Sequence, residues 1–149
     1  MNKSPHSHTS SLGAELQQAY RAALYQVFTA EGAIHTLRAG QHNAWLQQAL
    51  RERQADCACY LTACNPLGKL LGDAENAQRM RELRATLQSQ GWQFEDGKGL
   101  DPEGLWPGED SVLIWGMDQR VARQWGQQWQ QNALLWCGPD GAPQLLWLR

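Results

Sequence analysis

The chain of 149 residues has no block of basic residues: its 13 Lys and Arg are scattered, with pairs no denser than Arg51 and Arg53, against 15 Asp and Glu and a formal charge of -2. A protein that tracks a polyphosphate backbone carries a clustered basic footprint, so nucleic acid is excluded as an expected partner. No run approaches the roughly 20 apolar residues that a membrane helix requires, and no membrane partner is expected. Residues 1–11 hold Lys3, Pro5, His6 and His8 but no apolar centre, which excludes the pattern of a signal peptide. Histidine is sparse as well. Beyond those residues only His35 and His42 remain, in no ligand-pair spacing. The four cysteines, Cys57, Cys59, Cys64 and Cys137, fit no compact zinc pattern. In a regular strand Cys57 and Cys59 would face one side and Cys64 the other, so one metal could not collect all three. They read as small buried thiols of a reducing compartment, and the expected location is cytoplasmic. Neither a metal nor a cofactor is expected.

What is present is enough apolar material for one core: 42% of residues are hydrophobic and 19% charged. Residues 1–13 are expected to be a disordered tail and residues 14–149 a single α+β domain, with no internal repeat. Apolar positions three and four apart predict a helix over residues 14–24, and extended pieces at 25–29 and 33–37 flank a turn at Glu31-Gly32. A second helix is predicted over 43–53. A short apolar run, 57–64, reads as a buried strand stopped by Asn65-Pro66. The strongest helix signal begins at Asp73, expected as its N-cap, and ends at Gly91. Trp92-Gln93-Phe94 opens a strand, residues 96–108 read as a Gly- and Pro-rich loop, and 111–115 as a buried strand. Asp118 caps a helix with Val121, Ala122, Trp125 and Trp129 on one face. Strands 133–137 and 144–148 close the chain around the turn at Gly138-Pro139-Asp140-Gly141. This order predicts a single mixed, mainly antiparallel sheet with helices packed on it, with a ferredoxin-like variant in range.

The tip of the central strand, Tyr60-Leu61-Thr62-Ala63-Cys64-Asn65-Pro66, organises the rest. If the helix from Asp73 packs back across it, Thr62 and Asn65 approach that helix's first turn, a corner suited to an anion or a carbonyl oxygen. Asn76 lies on the inward stripe of the same helix and must find a partner. The local alternative has Asn65 holding its own turn, Thr62 bonding a neighbouring strand and Asn76 tying helix to loop. Glu109-Asp110-Ser111 puts a carboxylate and a hydroxyl where the long loop enters a strand, and burial would suit Glu109 to general acid or base work. Ser111 has no evident base, so a hydrolase triad is unsupported. Gly97-Lys98-Gly99 lacks the length and the helix of a phosphate loop. Of eight tryptophans most fall on core stripes or strands, and Trp106, in the loop, is the candidate ligand platform. Gln130-Gln131-Asn132 either faces the same cleft or ends the last helix.

Taken together, Thr62-Ala63-Cys64-Asn65-Pro66, Asn76, Trp106-Pro107-Gly108-Glu109-Asp110-Ser111 and Gln131-Asn132-Ala133 resemble the motifs of a bacterial family catalogued as domain of unknown function 3293. Gly68 stands where that pattern has a Ser, and Cys64 replaces an aromatic. The resemblance implies that Thr62, Asn65, Asn76, Glu109, Ser111 and Gln131 belong to one pattern, and it implies no substrate.

Two functions compete. The first is a binding domain for a small polar or nucleotide-like ligand, extending to an enzyme, with Thr62, Asn65, Asn76, Trp106, Ser111 and Gln131 on the ligand and Glu109 as acid or base. The second is a protein-interaction or regulatory module, with exposed tryptophans and the Gln-rich segment 127–131 meeting a protein partner. An amide and acid set at strand ends favours the first.

Overall fold

Hydrophobic periodicity sets the elements in the expected order. They are α1 (Ala14–Ala22), β1 (Leu24–Phe28), β2 (Ile34–Leu37), α2 (Ala44–Glu52), β3 (Ala58–Leu61), α3 (Asp73–Ser89), β4 (Phe94–Leu100), β5 (Glu109–Trp115), α4 (Gln119–Gln128), β6 (Ala133–Cys137) and β7 (Gln144–Trp147). This computed structural model describes residues 10–149. The first nine residues of the expected tail lie outside the described residues. The remainder of it is tied down: the Ser11 N–H donates to the Arg149 carbonyl at 3.1 Å and the Leu12 N–H to Ser10 Oγ at 3.1 Å.

One seven-stranded sheet runs in the order β2-β1-β4-β5-β3-β6-β7. With helices packed on it, the fold is α+β. Every pairing among the described residues is antiparallel, and the connectivity gives the reason. Helix α3 links β3 to β4 with β5 between them, and α4 links β5 to β6 with β3 between them. Strands that would run parallel are thus never neighbours. The inner unit β3-α3-β4-β5-α4-β6 has the split βαβ connectivity of a ferredoxin-like fold. The β1–β2 hairpin extends the sheet past β4, and β7 extends it past β6.

Alternation divides the sheet into two faces. On one, Cys59, Leu61, Val112 and Ile114 meet Met80, Leu83 and Leu87 of α3 and Ala122 and Trp125 of α4. On the other, Ala58, Leu113, Trp115 and Leu135 meet Leu46, Ala49 and Leu50 of α2. Helix α1 also belongs to this second side but buries none of its residues. None of the eight tryptophans is exposed.

Local boundaries depart from expectation in informative places. Strand β4 continues to Leu100, so the loop expected over 96–108 shrinks to 101–108. Gly97 sits in the ladder because neighbouring backbone leaves no room for a side chain: a Cβ there would collide with the Gln26 carbonyl oxygen and lie 3.0 Å from the Tyr60 hydroxyl. Asp73 is the first helical residue of α3 rather than its cap; Gly72 holds the cap position without a side-chain bond. Asp118 does cap α4, accepting the Val121 N–H at 2.9 Å.

Candidate functional site

Register brings small and polar residues together on the second face. Tyr25 of β1 pairs with Gly99 of β4, Gly99 with Glu109 of β5, and Gly97 with both Val27 and Ser111. Two glycines therefore lie between the aromatic residue of β1 and the polar residues of β5. Helix α1 crosses above through Leu16, Ala19 and Tyr20, and the space beneath it is a cavity of about 340 Å³. That volume is at the small end of the range in which proteins hold small molecules. Loop residues Trp106 and Pro107 and the strand tip at Thr62 and Asn65 complete the wall.

Thr62, Asn65, Trp106, Glu109, Ser111 and Gln131 all line this cavity, and Asn76 stands directly behind Asn65. Asn65 holds the corner. Its backbone N–H donates to Asn76 Oδ1 at 2.9 Å, its Oδ1 accepts from Leu71 N–H and Asn76 Nδ2 at 2.9 Å each, and its Nδ2 donates to Glu109 Oε2 at 2.6 Å. The left-handed backbone at Asn65 (φ 48°) is one that Asn tolerates better than most residues. Leu67 and Gln130 share that region at φ 58° each, and the Leu67 N–H donates to the Gln130 carbonyl at 2.6 Å. A Leu held left-handed costs roughly 1–2 kcal/mol, so the contacts around it fix this corner against a local preference. Gly68, at φ 78°, explains the missing Ser: a side chain there would be strained, and its Cβ would press to 3.2 Å from Asn132 Nδ2.

Most of these polar groups are already occupied by the protein. The Thr62 hydroxyl donates to the Asp110 carbonyl at 2.6 Å and accepts from the Cys64 N–H at 3.0 Å. Ser111 Oγ donates to the Glu109 carbonyl at 3.0 Å, and Gln131 Nε2 donates to the Cys64 and Trp129 carbonyls at 3.1 Å each. Asn76 adds a 3.5 Å bond to the Leu71 carbonyl. The first turn of α3 therefore presents Asn76 to Asn65, and the expected anion corner at that helix end is filled by the protein's own amide. Arg79 closes the back, donating to the Ala63 and Trp129 carbonyls.

Glu109 differs. Only its Oε2 has a protein partner among the described residues, and burial pushes its carboxyl above the usual carboxylate range, with the Asn65 amide working against the rise. Three tyrosines surround it. Burial raises the hydroxyls of Tyr20, Tyr25 and Tyr60, and the Glu109 charge adds to each rise, so all three are neutral phenols at ordinary pH. Tyr25 donates to the Tyr20 carbonyl and Tyr60 to the Gln26 carbonyl at 2.8 Å, while the Tyr20 hydroxyl lies beside the buried amide of Asn132. Among the described residues no Lys, Arg or His lines the cavity. The arrangement can accept a donor or a cation at Glu109, or take a proton from a bound molecule there. It has no activated nucleophile: Ser111 Oγ is turned onto a carbonyl, and burial raises the Cys64 thiol.

The three tyrosines were not among the sequence candidates, and Asn132 entered only within the amide-rich segment Gln130-Gln131-Asn132. Tyr60 sits inside an apolar run where its hydroxyl carries no sequence signal; the period-two match of Tyr60 with Thr62 was the available clue. Of Gly97 and Gly99, read as a weak phosphate loop, Gly99 lines the cavity and Gly97 admits the close approach of the Gln26 backbone and the Tyr60 ring.

Fold and site together define an extended ferredoxin-like α+β domain with one polar corner in an otherwise apolar side cavity. Residues 61–134 match the family described as Protein of unknown function (DUF3293). That segment carries Thr62, Asn65, Asn76, Trp106, Glu109, Ser111 and Gln131, whereas Tyr20, Tyr25 and Tyr60 precede it. No curated protein and no solved structure matches the chain.

Proposed function

We propose that this domain binds a small organic molecule between α1 and the second sheet face, with Glu109, aimed by Asn65, as its polar anchor and Trp106 as part of its wall. The observation that carries the reading is the pairing of a half-buried carboxyl having one free oxygen with an adjoining 340 Å³ cavity. Within the class of small polar ligands, a phosphate group fits poorly, because among the described residues it would meet Glu109 and no Lys or Arg. A nucleoside base, an amino compound or another ligand without phosphate suits the wall better. The test is a thermal-shift screen on the wild type and on Gly99→Leu, whose side chain fills the cavity. Compounds that bind the native state raise the midpoint by mass action, and they lose that effect in the variant. Equal shifts in both proteins would remove the cavity as the binding place.

A protein-interaction role keeps one supporting observation. Leu16 and Leu70 of the cavity wall are exposed, at 40% and 73%, as are Leu67 and Leu105, the sequence neighbours of the wall residues Gly68 and Trp106, at 44% and 79%. The tryptophans no longer contribute to that reading, since none is exposed.

A further inference from the structure

We infer that the occupant of this cavity is an organic cation, a protonated amine or amidine on an aromatic or compact apolar body, with Glu109 as its counter-charge. The inference rests on the binding reading above and narrows it to one chemical class.

The charge inventory of the wall carries the argument. Among the described residues Glu109 is its one residue of acidic or basic charge, and the titratable groups that face it are the phenols of Tyr20, Tyr25 and Tyr60 and the Cys64 thiol. Two of those phenols already donate elsewhere, to the carbonyls of Tyr20 and Gln26, so they cannot also donate to the carboxylate. Lys98, the basic residue of the neighbouring strand β4, pairs in register with Asp110 and points to the opposite face of the sheet from Gly99 and Glu109. Glu109 is thus a desolvated carboxylate with a single amide donor, and burying such a group is costly unless a positive partner arrives.

The rest of the wall selects the body. Tyr25 and Tyr60 meet edge to face with centroids 5.4 Å apart, and Trp106, Leu16 and Leu135 line the space around them. Aromatic faces favour a cation over an anion of equal size. An anion would meet like charge, and a neutral alcohol would satisfy Glu109 Oε1 without compensating its charge.

The experiment compares benzylamine and benzamidine with benzyl alcohol and benzoate as thermal-shift ligands of the full chain at pH 7. The amines are expected to raise the midpoint at concentrations at least tenfold below those needed by the alcohol or the acid, and Glu109→Gln is expected to erase that preference. Titration calorimetry of the wild type with benzamidine, a cation throughout the range pH 4 to 8, is expected to show affinity rising with pH as the Glu109 carboxyl loses its proton. That second measurement decides the matter if the variant does not fold. Equal or stronger protection by benzyl alcohol or benzoate would overturn the cation while leaving the binding reading in place. No protection by any of the four, with no binding heat, would overturn both.

Discussion

Replacing Gly97 or Gly99 by Ala separates close backbone approach from cavity space, because the two residues share one strand face and the substitution is the same. At Gly97 the added Cβ meets the Gln26 carbonyl oxygen, the atom to which Tyr60 donates its hydroxyl at 2.8 Å, and comes within 3.0 Å of that hydroxyl. Relief requires β1 to move away from β4, yet β1 carries Tyr25 and Val27 into the core. Overpacking of this kind costs about 1–3 kcal/mol, and losing the Tyr60 bond adds about 1 kcal/mol. Against this, Ala loses less backbone entropy on folding than Gly, by about 0.5–1 kcal/mol. Gly97→Ala should therefore lose about 1–3.5 kcal/mol, which for a chain of this size lowers the thermal midpoint by about 3–10 °C. At Gly99 the nearest atom to the added Cβ is the Glu109 carbonyl oxygen at 3.9 Å, an ordinary contact. Gly99→Ala should keep or slightly raise the midpoint, by about 1–2 °C. Calorimetric or circular-dichroism melts of the two variants provide the comparison. Midpoints within about 2 °C of each other would refute the claim that contact with β1 is what keeps position 97 as glycine.

Other expected outcomes follow from the same coordinates. The folded Glu109 carboxyl holds its proton to higher pH than the unfolded one, so the native state binds more protons between the two values and stability falls as pH rises from about 4.5 through the folded value. Glu109→Gln removes that contribution, and urea midpoints of wild type and variant measured from pH 4 to 8 should diverge upward in favour of the variant. Asn65→Ala deletes two acceptor bonds and the donor bond to Glu109, an expected loss of about 2–4 kcal/mol. Asn65→Gly, free of the left-handed strain, should recover about 1 kcal/mol of it in urea unfolding. Helix α1 buries no residue whereas α2 buries Leu46, Ala49 and Leu50; native hydrogen exchange should find α1 amides at least tenfold less protected than those of α2, roughly 1.4 kcal/mol in local opening.

Element order was legible because each element repeats its own period: Val121, Ala122 and Trp125 mark α4, and the apolar run before Asn65-Pro66 marks β3. The second half of β4 was not legible. Gly97-Lys98-Gly99 carries no β preference of its own, and what holds it in the ladder is the approach of the Gln26 backbone and the Tyr60 ring from elsewhere in the chain. At the cavity, the polar residues could be singled out, but the state of each could not. Ser111, Gln131 and Glu109 look alike as polar residues near strand ends; in space the first two donate to carbonyls of their own surroundings, and the third keeps an oxygen toward the cavity. That difference depends on side-chain direction, which spacing does not encode.

The cavity itself follows from residue size on one sheet face. A ferredoxin-like unit puts both crossover helices, here α3 and α4, on the same side and leaves its other side to be covered by additions. At the end of that side bearing Trp115, large apolar residues meet α2 in a close-packed apolar contact. At the other end the face offers Gly99, Thr62, Ser111 and Glu109, which are too small or too polar to fill the distance to a helix. Helix α1 can bridge that end only from above. It is fixed at its margins, where Tyr20 meets Trp147 edge to face and Arg21 stands 5.5 Å over the same ring. The polar anchor at Glu109 and Asn65 therefore lies within residues 61–134, while Leu16, Ala19 and Tyr20 of the apolar wall lie outside them. Substitutions in α1 can reshape the space offered to a ligand's body without touching the carboxyl that meets its polar end.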